Sequence, residues 1–151
     1  MSGIEASGSQ TGFLMPVTNT TLTIPATADR IVSVGAYQAD TMAVAPFSGR
    51  GFTASGQVAP TLVAPGVDIL TAAPGGGYAR RTGTSIAAPF VTGAAALLME
   101  WGIVRGNDVE LYGEKGKAYL MRGAKPLPGI TNYPDVAAGY GRLCVEQSIP
   151  K

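Results

Sequence analysis

The longest apolar run in the chain starts at Ser85 and continues as Ile86-Ala87-Ala88-Pro89-Phe90-Val91-Thr92-Gly93-Ala94-Ala95-Ala96-Leu97-Leu98, with scarcely a polar position in it. A surface helix carries an apolar stripe and a polar face, whereas a helix that is apolar all round is buried on every side. The run therefore predicts a central buried helix starting at Ser85 and closed by Trp101-Gly102-Ile103-Val104. Gly93 and Gly102 interrupt it and it ends within about five turns, so it reads as a core helix and not as a membrane span. Upstream, Ile31-Val32-Ser33-Val34-Gly35-Ala36 is a compact β-branched run of the kind found in strands covered on both faces.

Weaker patterns fill in the remainder. Residues 11–23, with Phe13, Leu14, Val17 and Leu22 among threonines, predict extended β structure, an upstream β segment or the tail of an insertion; residues 24–151 form the main unit. Ile24-Pro25-Ala26-Thr27-Ala28-Asp29-Arg30 is a turn-like connector, and Ile24-Pro25 is the candidate for a cis bond. Pro65-Gly66 predicts a turn between two short strands, and Gly75-Gly76-Gly77 a hairpin tip before the strand Tyr78–Thr82. A phosphate loop is the other use of such glycines, but the Lys-Ser/Thr that should follow is missing. Residues 114–123 predict a short amphipathic helix with Ala118, Leu120 and Met121 inward and Gly123 at its end, and the segment with Pro126, Pro128 and Pro134 a surface loop.

Composition narrows the function classes. With 151 residues, 46% hydrophobic and 14% charged, the chain can bury the core of one ordinary domain. A net charge of +1, with Arg80, Arg81 and Arg105 scattered, argues against electrostatic capture of nucleic acid. Met1–Gln10 has neither the basic nor the apolar region of a secretion signal, and no compartment follows from the sequence. The single Cys144 reads as a small buried hydrophobe. With one cysteine and no histidine, a zinc site is excluded in practice, and no cofactor is expected.

Candidate chemistry sits at the head of the long helix. A serine hydroxyl in the first helical turn can be reached from outside the core, and the N–H groups there lack intrahelical acceptors and point at any negative charge beside it. This is the layout of a nucleophile with part of an oxyanion hole. The segment Gly83-Thr84-Ser85-Ile86-Ala87-Ala88-Pro89 followed by an apolar helix resembles the serine-nucleophile signature of the subtilisin-like proteases, peptidase family S8. Other blocks resemble that family in the family's order: the Pro25 connector, Val32-Ser33-Val34-Gly35-Ala36, Phe47-Ser48-Gly49-Arg50-Gly51, Ala64-Pro65-Gly66, and Gly139-Tyr140-Gly141-Arg142-Leu143. Ala59 and Thr61 stand where the family's Lys and Asp are expected, which implies a missing surface ion pair. In detail the chain is most similar to bacterial subtilases with a strand-rich insertion.

The resemblance implies an α/β fold, part of a doubly wound, mostly parallel sheet, and a serine endopeptidase acting on peptide or protein substrates. It implies Ser85 as the catalytic nucleophile and Thr84 as the oxyanion-supporting neighbour. It also allows a calcium site of backbone carbonyls near the Pro connector. The family orders its triad Asp, His, Ser, and a chain without histidine cannot hold all of it. The His, Asp and oxyanion Asn are therefore expected from the remainder of the catalytic domain, and this chain alone should be inactive. Asn19 lies among threonines too near Pro25 to be the oxyanion residue, Lys115, Lys117 and Lys125 fall in polar segments expected to be exposed, and Glu100 lies too far along the helix axis. The competing expectation is a non-catalytic module, a pseudoprotease with the same fold. Either way the chain should expose a sheet edge and apolar surface, and self-associate or pack against a partner.

Overall fold

The strand pair that supports the long helix is built on strict alternation. In a computed structural model that describes residues 17–150, β1 (Val34–Gln38) runs parallel to β3 (Leu62–Pro65), with Val34 opposite Leu62 and Ala36 opposite Ala64. Leu62, Ala64 and Ala36 point into one core, shared with α1 (Thr84–Met99), while Tyr37 and Val63 point into a second with Leu127 and Ala138. The short β2 (Ala43–Val44) adds to β1 antiparallel, giving the order β2-β1-β3. The segment 139–143 borders the other side of β3: the Val63 N–H donates to Gly141 O (3.0 Å) and the Leu143 N–H to Val63 O (2.8 Å). A separate antiparallel hairpin joins β4 (Ile69–Ala72) to β5 (Tyr78–Arg81) across Gly75, Gly76 and Gly77, all at positive φ as a glycine tip requires.

The fold is α/β, as the sequence implied. Among the described residues the parallel pairing consists of the β1–β3 ladder and a parallel bridge between Val63 and Arg142, and loop 124–143 covers the second face of the sheet. The strand starts at Val34, three residues later than Ile31. At Ser33 side chains join the backbone in the pairing: the Thr61 N–H donates to Ser33 O (2.8 Å) and to Ser33 Oγ (2.9 Å), and the Ser33 N–H donates to Thr61 Oγ1 (3.1 Å). Thr61 is only 1% exposed, so where the family's surface ion pair was expected to be missing the chain has a buried hydroxyl pair. Residues 17–23 form no strand; Thr21 is instead bonded at both N–H and Oγ1 to the backbone of Arg50. The expectations for residues 1–16 lie outside the described residues. Ile24-Pro25 is cis, as are Ala59-Pro60 and Tyr133-Pro134.

The long helix departs from expectation in two ways. It starts one residue earlier, at Thr84; it closes at Val104, as expected, but through a wider π-type turn, Glu100–Val104, where the Asn107 side-chain amide donates to Trp101 O (2.8 Å). At 21 residues, Thr84–Val104 is long and apolar enough to cross a membrane by length and composition, contrary to expectation, because Gly93 and Gly102 do not break the helix. It is also not buried on every side. Ala87, Val91, Ala94 and Leu98, spaced four, three and four apart, form the one covered face, packed on β1 and β3. Phe90 and Leu97 are 42% and 50% exposed, because no described residue covers that side.

Beyond the helix, α2 (Glu114–Gly123) has the expected bounds. Leu120 is buried and Met121 half-buried, but Ala118 is exposed, since α2 packs chiefly on the short α3 (Val145–Ser148). A Cβ on Gly123 would lie 2.4 Å from the Ser148 N, which explains a glycine at that contact. Asp108 gathers this end: Lys115 Nζ lies 2.6 Å and Tyr119 Oη 3.1 Å from its carboxylate. The lysine hydrogen bond, above all, holds the Asp108 carboxyl below its ordinary range, and the carboxylate raises Lys115 in return. Cys144 is half-buried, not buried, because its backbone serves as the N-cap of α3 at the surface. In the proline-rich loop Leu127 is 3% exposed, its N–H donating to Tyr133 Oη (2.7 Å), so that loop also contributes to the core.

Candidate active site

The turn that delivers Ser85 is held by backbone. The Gly83 N–H donates to Gly66 O (2.8 Å), which joins the helix start to the Pro65-Gly66 turn at the end of β3. Gly66 permits this approach, since a Cβ there would lie 2.7 Å from Ala36 Cβ and 2.9 Å from Gly83 O. On the far edge of β1, the Ala36 N–H donates to Ser48 Oγ (3.0 Å), and Ser48 is 4% exposed. That bond fastens the Phe47-Ser48-Gly49 turn beside the same strand. Three sequence blocks far apart in the chain thus converge on one end of the parallel pair.

Ser85 is the second residue of α1 and is exposed; Thr84 is the first and half-buried. The earliest helical acceptor is Gly83 O, taken by the Ile86 and Ala87 N–H groups (3.1 and 3.2 Å). The Ser85 N–H, one step earlier, has no intrahelical acceptor. Pro89 supplies no N–H to the Ser85 carbonyl four residues back, so that end of the helix is polar on both counts. Thr84 and Ser85 border a cleft of about 660 Å³, lined also by Thr82 and Gly83, by Ser33, Val34 and Gly35 at the head of β1, by Thr21, Leu22 and Thr23, and by Phe47 and Pro60. The cleft walls are mainly apolar and hydroxyl-bearing, a surface suited to an extended peptide and not to a polyanion.

Among the described residues, no charged side chain lines this cleft. Asn19 lies in an exposed bend and is not part of it, in keeping with its position among the threonines. Glu100 pairs instead with Arg105 at 2.7 Å. The lysines are also committed elsewhere, and not all are exposed as expected: Lys117 and Lys125 are half-buried. Lys117 Nζ donates to Ile31 O at 2.7 Å and Lys115 pairs with Asp108, while Lys125 is not among the residues that line the cleft. The role of Thr61 inside the fold and the reach of Lys117 to the connector were not legible from the sequence. Spacing alone does not reveal a contact across 86 positions.

Comparison with known proteins shows the family. The family profile described as the subtilase family, peptidase S8, matches residues 5–141. An intracellular serine protease of Paenibacillus polymyxa is 43% identical over 106 residues, covering 68% of this chain and 30% of that protein. The C5a peptidase of Streptococcus pyogenes is 44% identical over 54 residues, 36% of this chain and 5% of its own length. Among solved structures, the Clostridium perfringens CspB protease superposes with a TM-score of 0.85 at 44% identity, over 89% of this chain and 29% of that one. The chain therefore spans less than a third of each of these relatives.

Proposed function

The chain belongs to the subtilase family, and from that premise we propose that Ser85 is the nucleophile of a serine endopeptidase whose catalytic domain is completed by sequence outside these 151 residues. One observation carries the reading: an exposed serine in the first turn of α1, at the edge of a cleft large enough for a peptide strand. In the reaction Ser85 Oγ attacks the scissile carbonyl carbon while a base takes its proton. The C–N bond then breaks as that proton passes to the leaving amine, and water cleaves the resulting ester. The Ser85 N–H is the oxyanion donor supplied from this chain, and Thr84 supports the turn that aims it. With no histidine in the chain, the imidazole base comes from the rest of the domain, as do the Asp and the oxyanion Asn.

The uncovered side of α1 supports the same division. A helix that is apolar on all faces but covered on one leaves Phe90, Leu97 and Met99 in water, and this is where the remainder of the domain docks. Alone, the chain is expected to self-associate through that side. The experiment is hydrolysis of casein by the intact gene product, its Ser85→Ala variant and the isolated chain. Activity confined to the intact wild type is expected. Turnover surviving in Ser85→Ala would overturn the nucleophile, and Ser85-dependent turnover by the isolated chain would overturn the division of the triad. An intact product that is inert and lacks the upstream His and Asp would instead favour the pseudoprotease.

A further inference from the structure

The connector turn of residues 24–30, with Ile31 directly after it, stands between two cavities. Ala26 and Ser33 line both the Ser85 cleft and a second cavity of about 450 Å³, in whose wall Asp29, Arg30, Glu114 and Lys117 supply the charges. Lys117 reaches it from α2, half-buried, and its Nζ donates to the Ile31 carbonyl at 2.7 Å. Ile31 precedes the β1 ladder, which begins at Val34, so this oxygen is not used by the sheet. The neighbouring Arg30–Glu114 pair, at 3.5 Å with side chains 81% and 68% exposed, contributes little. The lysine bond is charge-assisted and partly buried, and is the stronger link between connector and helix.

A turn of backbone carbonyls beside a polar cavity is where a hard cation such as calcium would be sought, with oxygen ligands at about 2.3–2.6 Å. The donors here do not fit one. Ile31 O is already taken by an ammonium group, and the Thr61 hydroxyl is bound to Ser33 inside the fold. The charges in the wall also cancel: Asp29, hydrogen-bonded by Gln57, and Glu114 are matched by Arg30 and Lys117. We propose that the Lys117 ammonium is the resident cation of the connector: it fastens this turn to α2 and makes the adjoining wall of the Ser85 cleft independent of bound calcium. The inference rests on this contact and charge balance, and stands or falls apart from the role of Ser85.

Thermal unfolding of the full 151-residue chain in EDTA and in calcium up to about 10 mM, above the affinity range of weak protein calcium sites, tests it. Wild type should show the same Tm in both. Lys117→Met should lower Tm by roughly 2–6 °C. Lys117→Glu, which turns the balanced cavity acidic, should acquire a saturable rise in Tm with calcium that wild type lacks. Saturable stabilisation of wild type by calcium, an unchanged Tm in Lys117→Met, or no calcium response in Lys117→Glu would each overturn the proposal. If either variant does not fold, the wild-type titration decides alone.

Discussion

Replacing Gly66 by alanine adds one methyl group where β3, β1 and the Ser85 turn meet. The new carbon would lie 2.7 Å from Ala36 Cβ, 2.9 Å from Gly83 O and 3.2 Å from Ala87 Cβ. Carbon pairs settle at about 3.5–4.0 Å, so the first of these contacts must open by about 1 Å. None of the three atoms is the loose end of a side chain: Ala36 is locked in the β1–β3 ladder, and Gly83 O holds the first two helical N–H groups. Overpacking of this kind costs ~1–3 kcal/mol. The reduced freedom of the unfolded chain returns ~0.4–1 kcal/mol, leaving a net loss of ~1.3 kcal/mol at the middle of both ranges, from a total of ~5–15 kcal/mol. Urea unfolding of Gly66→Ala should show a lower midpoint with the slope unchanged. A midpoint equal to or above wild type would mean that the convergence of turn, strand and helix is looser than the geometry indicates.

The same substitution at Gly93 should act in the opposite sense, because a Cβ there meets nothing within 4 Å; Gly93→Ala in the middle of α1 is expected to stabilise by ~0.5–1 kcal/mol in the same urea assay, and destabilisation would refute it. Asp108, with its carboxyl held below the ordinary 3.8 chiefly by Lys115, contributes stability that is complete above that value and disappears as pH falls through the lower folded value. Asp108→Asn should therefore flatten the acid limb of Tm against pH below about pH 4, and an acid limb parallel to wild type would contradict the assignment. Phe90→Ser combined with Leu97→Gln should reduce self-association of the isolated chain in light scattering with little change in Tm, since both side chains are about half exposed; unchanged association would place the contact elsewhere.

Turn chemistry makes much of this fold readable in the sequence. The Gly75-Gly76-Gly77 tip, the Pro65-Gly66 corner, the bounds of α2 and the start of α1 beside Ser85 each follow from residues whose backbone options are few. What stayed hidden depends on side chains that suit more than one setting. An all-apolar helix has no polar face to mark its outside, so nothing in residues 84–99 indicates that only the Ala87, Val91, Ala94 and Leu98 stripe is covered. Thr61 reads as a surface replacement until Ser33 is seen to satisfy it, because a threonine serves equally in water or in a buried hydroxyl pair. Lys117 looks like one more exposed cation on an amphipathic helix, and its role depends on a carbonyl 86 positions away. Ser85 itself was legible because its chemistry demands a distinctive local frame: small residues before it, an apolar helix after it.

The central claim is that Ser85 becomes an activated nucleophile once the domain is complete. A fluorophosphonate probe with mass-spectrometric mapping of the intact gene product tests this most directly, since the reagent phosphonylates a serine hydroxyl whose proton a neighbouring base takes as the oxygen attacks. The account predicts one adduct, on the peptide containing Ser85, absent from both the isolated chain and Ser85→Ala. Proteolytic activity of the intact product with the adduct on a different residue, or with Ser85 unmodified, would contradict it.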